Sequence, residues 1–136
     1  MRNLSAAVIL VLIALCMLSC SPAPAAASGS VEAAFQQQRS NVQVTGSGTV
    51  ERILRDDTSG LPHQRFIVRL ASGQTVLIEH NIDVAPRIDG LKVGDEVSFQ
   101  GEYVWNEQGG LVHWTHHDPA RRHPGGWIER MGRTYE

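Results

Sequence analysis

The chain has 136 residues and a formal net charge of −2 at neutral pH, with 42% hydrophobic and 19% charged residues. That length and balance suit a single small domain built on one core. They exclude the clustered lysine and arginine footprint that tight, non-specific nucleic-acid binding requires.

The first twenty residues, MRNLSAAVILVLIALCMLSC, have the layout of an export signal. Arg2 is the positive start, and residues 6–18 form an apolar run too short and too early for a spanning helix. Met17-Leu18-Ser19-Cys20 resembles a bacterial lipobox, in which a small residue precedes a cysteine that is lipidated and becomes the mature N-terminus. Methionine departs from the leucine usual at that position, and cleavage after Ala25-Ala26-Ala27 is the competing reading. On the first reading Cys20 carries the lipid and ties the protein to a membrane on the periplasmic side of a bacterial envelope. Ser21 would then direct it to the outer membrane. On the second the protein is periplasmic or secreted.

Cys16 and Cys20 are the only cysteines, so residues 21–136 hold no disulfide, thiolate metal site or cysteine nucleophile. Any metal must be held there by histidine and carboxylate. Loss of Arg2 with the leader leaves 11 basic and 14 acidic residues, a net charge of −3. Lys92 is the only lysine. An arginine-rich cation set suits bidentate recognition of carboxylate or phosphate, although a GC-rich genome gives the same bias.

Residues 21–30, SPAPAAASGS, read as a tether. In VEAAFQQQRS, Val31, Ala34, Phe35 and Gln38 fall at helical spacing and predict a short helix that packs Phe35 on the domain. From Asn41 the pattern changes to strands. Val42, Val44 and Val50 alternate in NVQVTGSGTVERIL, with Gly46 and Gly48 marking a bend or bulge. DDTSGLP is a turn, and HQRFIVRL a strand with Phe66, Val68 and Leu70 on one face and Arg65, Ile67 and Arg69 on the other. ASGQ turns into TVLIEHNI, where Val76, Ile78, His80 and Ile82 share a face. DVAPRIDGLKVGD is a connection expected to carry a short turn of helix. EVSFQGEYVW places Val97, Phe99, Gly101, Tyr103 and Trp105 together. NEQGG closes a hairpin, LVHWTH opens the last long strand, and HPGG leads into a C-terminal strand or hairpin. Five main strands in about 80 residues, with a non-strand connection between the third and fourth, outline a small mostly-β, OB-like barrel over residues 41–136. A split-sheet sandwich fits the pattern almost as well.

The stretches LPHQRFIVRLASGQTVLIEHNID, VGDEVSFQGEYVW and, above all, HWTHHDPARRHPGGWIE resemble a family of short exported bacterial proteins known as domain of unknown function 3465. The resemblance spans roughly residues 41–135. It implies an exported, OB-like barrel and brings no activity, substrate or catalytic residue with it, so function rests on the residues themselves.

Residues 113–128, HWTHHDPARRHPGGWI, gather four of the six histidines, two tryptophans and two adjacent arginines. A purely structural account is available. Val112 and Trp114 would fill the core side of the last strand, Trp127 would cover the barrel's open end, and prolines and glycines would make the turns. A functional account is also available. Histidines with a carboxylate can hold Zn²⁺ or Mn²⁺ with a position left for water, and a chain that turns near His117-Asp118-Pro119 would let His116, Asp118 and His123 converge. Neither this spacing nor its neighbours matches an established zinc signature.

Arg65, Arg121 and Arg122 supply forks for an anion. In a phosphodiester hydrolase, His113 or His117 would be the base, Arg65 the phosphate clamp and the metal set the water activator. The rings of Tyr103, Trp105, Trp114 and Trp127 offer stacking surfaces for a base or sugar, or else core and lid. Glu102 is a candidate partner for a histidine or arginine. The expected functional surface is therefore residues 113–127 joined by His63, Arg65 and His80, with His63, Arg65, His80, Arg121 and Trp127 as ligand contacts. The expected role is an envelope binding module for a small anionic or saccharide ligand, with or without a bound metal, with a metal-assisted hydrolase and an envelope stress or interaction protein as alternatives.

Overall fold

The computed structural model describes residues 28–136. The expected export signal, Cys20 and most of the expected tether lie outside the described residues. A two-residue strand β1 (Gly29–Ser30) leads into α1 (Val31–Gln36), followed by β2 (Val42–Ile53), β3 (His63–Leu70), β4 (Thr75–Asn81), β5 (Glu96–Val104), β6 (Leu111–His113), β7 (Trp127–Arg130) and β8 (Arg133–Tyr135). Strands β2, β3, β4, β6 and β5 pair in that order, and β2 pairs again with β5, which closes a five-stranded barrel. All pairs in the circuit are antiparallel except β4 with β6. This is the OB-like architecture expected from the strand count.

Period-two alternation decides the core. Phe66, Val68 and Leu70 of β3, Val76 and Ile78 of β4, and Val97, Phe99 and Tyr103 of β5 all point inward and are buried. The long first strand serves two partners: residues 42–49 pair with β5 and residues 48–53 with β3, so it must bend between them. Gly46 and Gly48 sit at that bend, where a Cβ would strike the Phe99 ring and the Arg69 carbonyl respectively. A register shift follows at Val50/Arg52.

The short helix forms where the spacing predicts it. Ser30 caps it by accepting the Ala33 N–H at 3.1 Å, Val31 and Ala34 are buried, and Phe35 stacks on Trp105 with centroids 6.5 Å apart. Two expectations are corrected. The connection between β4 and β5 contains no helix. Instead Ile88 plugs the barrel end, pinned by Gln64, which donates to the Ile88 carbonyl at 3.1 Å and accepts its N–H at 2.9 Å. The last strand is also short, because Trp114 adopts a left-handed φ of 51° and stops it at His113.

Candidate functional site

Strands β6 and β7 lie along the same edge of β5, the first against Glu102–Val104 and the second against Val97–Gln100. Between them residues 114–126 leave the sheet and return to nearly the same place. The Gly126 N–H donates to the His116 carbonyl at 2.9 Å, and a Cβ at Gly126 would collide with the Trp114 and Gln100 carbonyls. The histidine-rich stretch is thus a closed loop, with its ends held together, rather than a strand.

Asp118 organises that loop. Its side chain is buried, with Oδ1 accepting the Ala120 N–H at 3.1 Å and Oδ2 accepting the Arg122 and His123 N–H groups at 2.6 and 3.1 Å. Burial opposes its ionisation, but these backbone donors and the nearby His123 outweigh it and hold the carboxyl below the usual carboxylate range. The carboxylate therefore serves the loop backbone. Arg122 approaches Oδ1 only to 3.8 Å and projects into solvent.

The loop packs its rings against each other. Trp114 stacks on His113 and on His123, with centroids 4.8 and 4.3 Å away, and His123 meets His116 edge-on at 5.0 Å. His113 is also held by Glu102, 3.3 Å from its Nε2. That pairing answers the question of what Glu102 partners.

These rings wall an open hollow of about 430 Å³ at the barrel end where the β2–β3 loop, the β4–β5 connection and the 114–126 loop meet. His63, His113, His116, His123, Trp114 and Arg122 line it, with Leu61 and Val84 as its aliphatic wall and Asn81 as a further polar group. No carboxylate lines it. A second hollow of about 360 Å³ lies on the other side of His116 and Arg122, and His117, Asp118 and Glu136 border it. A third, about 300 Å³, lies between α1 and β2 and gathers no comparable cluster.

Several expected site residues do not join the cluster. His80 is fully buried, its Nε2–H donating to the Pro86 carbonyl at 3.0 Å and its Nδ1 2.9 Å from the Thr115 hydroxyl. Both nitrogens are occupied within the core. Arg65 stands on the outer barrel face, 3.9 Å from Glu79, because it alternates with the inward Gln64 and Phe66. It neither lines the hollow nor clamps an anion there. Trp127 pairs with Gln100 in β7, away from the hollow, and Arg121 is an exposed left-handed turn residue at φ 52°. His117 faces the second hollow. Trp114 is on the hollow's wall rather than in the core, and Thr115 takes the buried position.

The expected convergence of His116, Asp118 and His123 on a metal is not built either. Among the described residues, no group of three histidine, cysteine, aspartate or glutamate side chains is placed to hold a metal ion. Asp118 instead accepts three backbone N–H groups, two of them on Oδ2. Residues that single-sequence reasoning passed over are Leu61, Asn81 and Val84. They come from two other connections, and no local pattern marks them.

A family profile described as "Protein of unknown function (DUF3465)" matches residues 11–136. The chain belongs to this family. The match takes in the whole barrel, the 114–126 loop and the C-terminal hairpin of this DUF3465 protein. No curated protein matches it, and no solved structure does. Among the described residues, no helix is long and apolar enough to cross a membrane.

Proposed function

We propose that this DUF3465 protein is an exported binding module, anchored through a lipid on Cys20, that holds a small anionic ligand in the hollow beside the 114–126 loop. The observation that carries the reading is the composition of that wall: four histidines and one arginine with no acidic side chain. Arg122 is the fixed cation. Among the described residues the carboxylate in ion-pair range of it is Asp118, at 3.8 Å and already bonded to three N–H groups, so the guanidinium is available to an incoming oxyanion. The hollow's volume suits a small metabolite.

The saccharide alternative has less support, because the Trp114 ring that would stack on a sugar is already stacked on two imidazoles. The hydrolase alternative has less support as well. Arg65 is elsewhere and the carboxylate intended for a metal is committed to the loop backbone. Export and anchoring rest on the leader sequence alone.

Calorimetric titration of the purified protein with inorganic sulfate and phosphate tests the reading. Saturable 1:1 binding, weakened by Arg122→Ala, is expected. Absence of heat with both anions between about pH 5 and 8, the range in which histidine charge changes, would overturn it.

A further inference from the structure

The hydrogen bonds inside the cluster fix which nitrogen of each ring carries the proton. A backbone carbonyl only accepts, so a ring nitrogen 2.7–2.8 Å from one must be the N–H. His63 places Nδ1 2.7 Å from the Leu61 carbonyl, and His116 places Nδ1 2.8 Å from the His117 carbonyl. In the neutral ring of each, Nε2 is then a lone pair, an acceptor that repels an anion. The Nδ1 of His123 is likewise tied, to the Pro124 carbonyl, but its Nε2 lies 3.7 Å from Asp118, and His113 Nε2 is held by Glu102. Each of those two rings thus has a carboxylate beside its Nε2 as an internal counter-ion. Among the described residues nothing bonds Nε2 of His63 or His116.

We propose that anion binding in this hollow is coupled to proton uptake by His63 and His116. The proposal rests on the anion-binding reading above. Only the imidazolium form turns Nε2 from a lone pair into an N–H donor, so the two rings contact an oxyanion productively only once charged. Arg122 makes the first contact, and the anion's charge then favours protonation of the rings beside it.

The neighbouring charges are consistent with this direction. From β4, His80 lies close enough to both rings for their charges to disfavour its own, and it stays neutral through burial. Three imidazoles this close resist accumulating charge without a counter-ion. From the β2–β3 loop, Asp57 is near His63 but is occupied by Ser59, whose N–H and hydroxyl both donate to it. From β5, Glu102 is on His113, and within the loop Asp118 is on the backbone. Arg122 adds positive charge, and the C-terminal Glu136 faces the second hollow across His116. Among the described residues no carboxylate forms an ion pair with His63 or His116, whereas His113 and His123 each have one, so the anion is the counter-ion the pair lacks.

The test is calorimetric titration of the purified protein with sulfate, which does not itself titrate near neutrality, in two buffers of different ionisation enthalpy. The difference in heats gives protons taken up per anion. An uptake of about one proton, with affinity falling roughly tenfold per pH unit above neutrality, is expected from linkage. His63→Gln and His116→Gln each supply an amide N–H donor at every pH. Each should lower the proton count while preserving sulfate affinity at the alkaline end. His63 is the more open position, so His63→Gln carries the test if His116→Gln unfolds. Sulfate binding with equal heats in the two buffers and pH-independent affinity would overturn the proposal and leave the anion reading intact. No sulfate binding at any pH would overturn both.

Discussion

A buried contact of 2.9 Å joins His80 Nδ1 to the Thr115 hydroxyl and ties the barrel interior to the root of the 114–126 loop. The same ring donates through Nε2 to Pro86, so one side chain fastens both the loop and the β4–β5 connection. Because Nε2 carries the proton, Thr115 must be the donor to Nδ1. Thr115→Val keeps the shape and leaves that acceptor without a partner. It should destabilise the fold by about 1–3 kcal/mol, read from the urea midpoint at unchanged m-value, and it should loosen the loop more than the barrel.

His80 also makes stability depend on pH. Burial is the leading cause that pushes its pKa below the ordinary histidine value, with the bond to Pro86 opposing. The native ring therefore binds a proton less readily than the unfolded chain. Above the ordinary value both states are neutral and stability is full. As pH falls below about 6.5 the unfolded chain is protonated first and stability declines until the native ring titrates. Urea unfolding followed between about pH 7.5 and 5.5 should show that decline, and His80→Gln should flatten it. An unchanged slope in the variant would assign the decline to other groups.

Asp118 should control the order of the loop. Asp118→Ala removes the acceptor for three N–H groups, so amide exchange at Ala120, Arg122 and His123 should accelerate while β3 and β5 stay protected. Sulfate binding should weaken with it, since Arg122 and His123 lose their placement. Because its carboxyl is held below the usual range, the loop should stay ordered through mildly acidic pH and loosen only when Asp118 is protonated.

Gly126 is where the loop closes. A methyl group there meets the Trp114 and Gln100 carbonyls, which are backbone atoms and cannot swing aside. Gly126→Ala should cost about 1–3 kcal/mol, a figure typical of overpacking, and should abolish the stacking of Trp114 on His123. Trp114 fluorescence and the denaturation midpoint report the two effects. Gly73→Ala, at a turn whose Cβ would meet nothing, should leave that fluorescence unchanged.

The barrel was legible in the sequence because alternation along each strand states which side chains face inward, and turn residues mark where each strand stops. Phe66, Val68, Leu70, Val76, Ile78, Phe99 and Tyr103 followed that rule. The strand ends and the connection did not. Trp114 halts β6 through a backbone angle that its residue type does not announce, and Ile88 plugs the barrel without a helix because Gln64 pins it from another strand.

For the site, composition by itself located the loop: four histidines, two tryptophans and two arginines within residues 113–128. It could not say how they are shared. Asp118 reads equally as a metal ligand or a loop cap, and only the three N–H groups folded onto it decide for the cap. His80 and His63 are both expected at the site, yet one lies in the core and the other on the hollow, because His80 alternates in phase with the inward Val76 and Ile78 while His63 is out of phase with the inward Gln64 and Phe66. Sequence determines which groups a strand presents and on which side. Which of those groups meet across the barrel end depends on closure of the circuit through β2 and β5, which no single strand encodes.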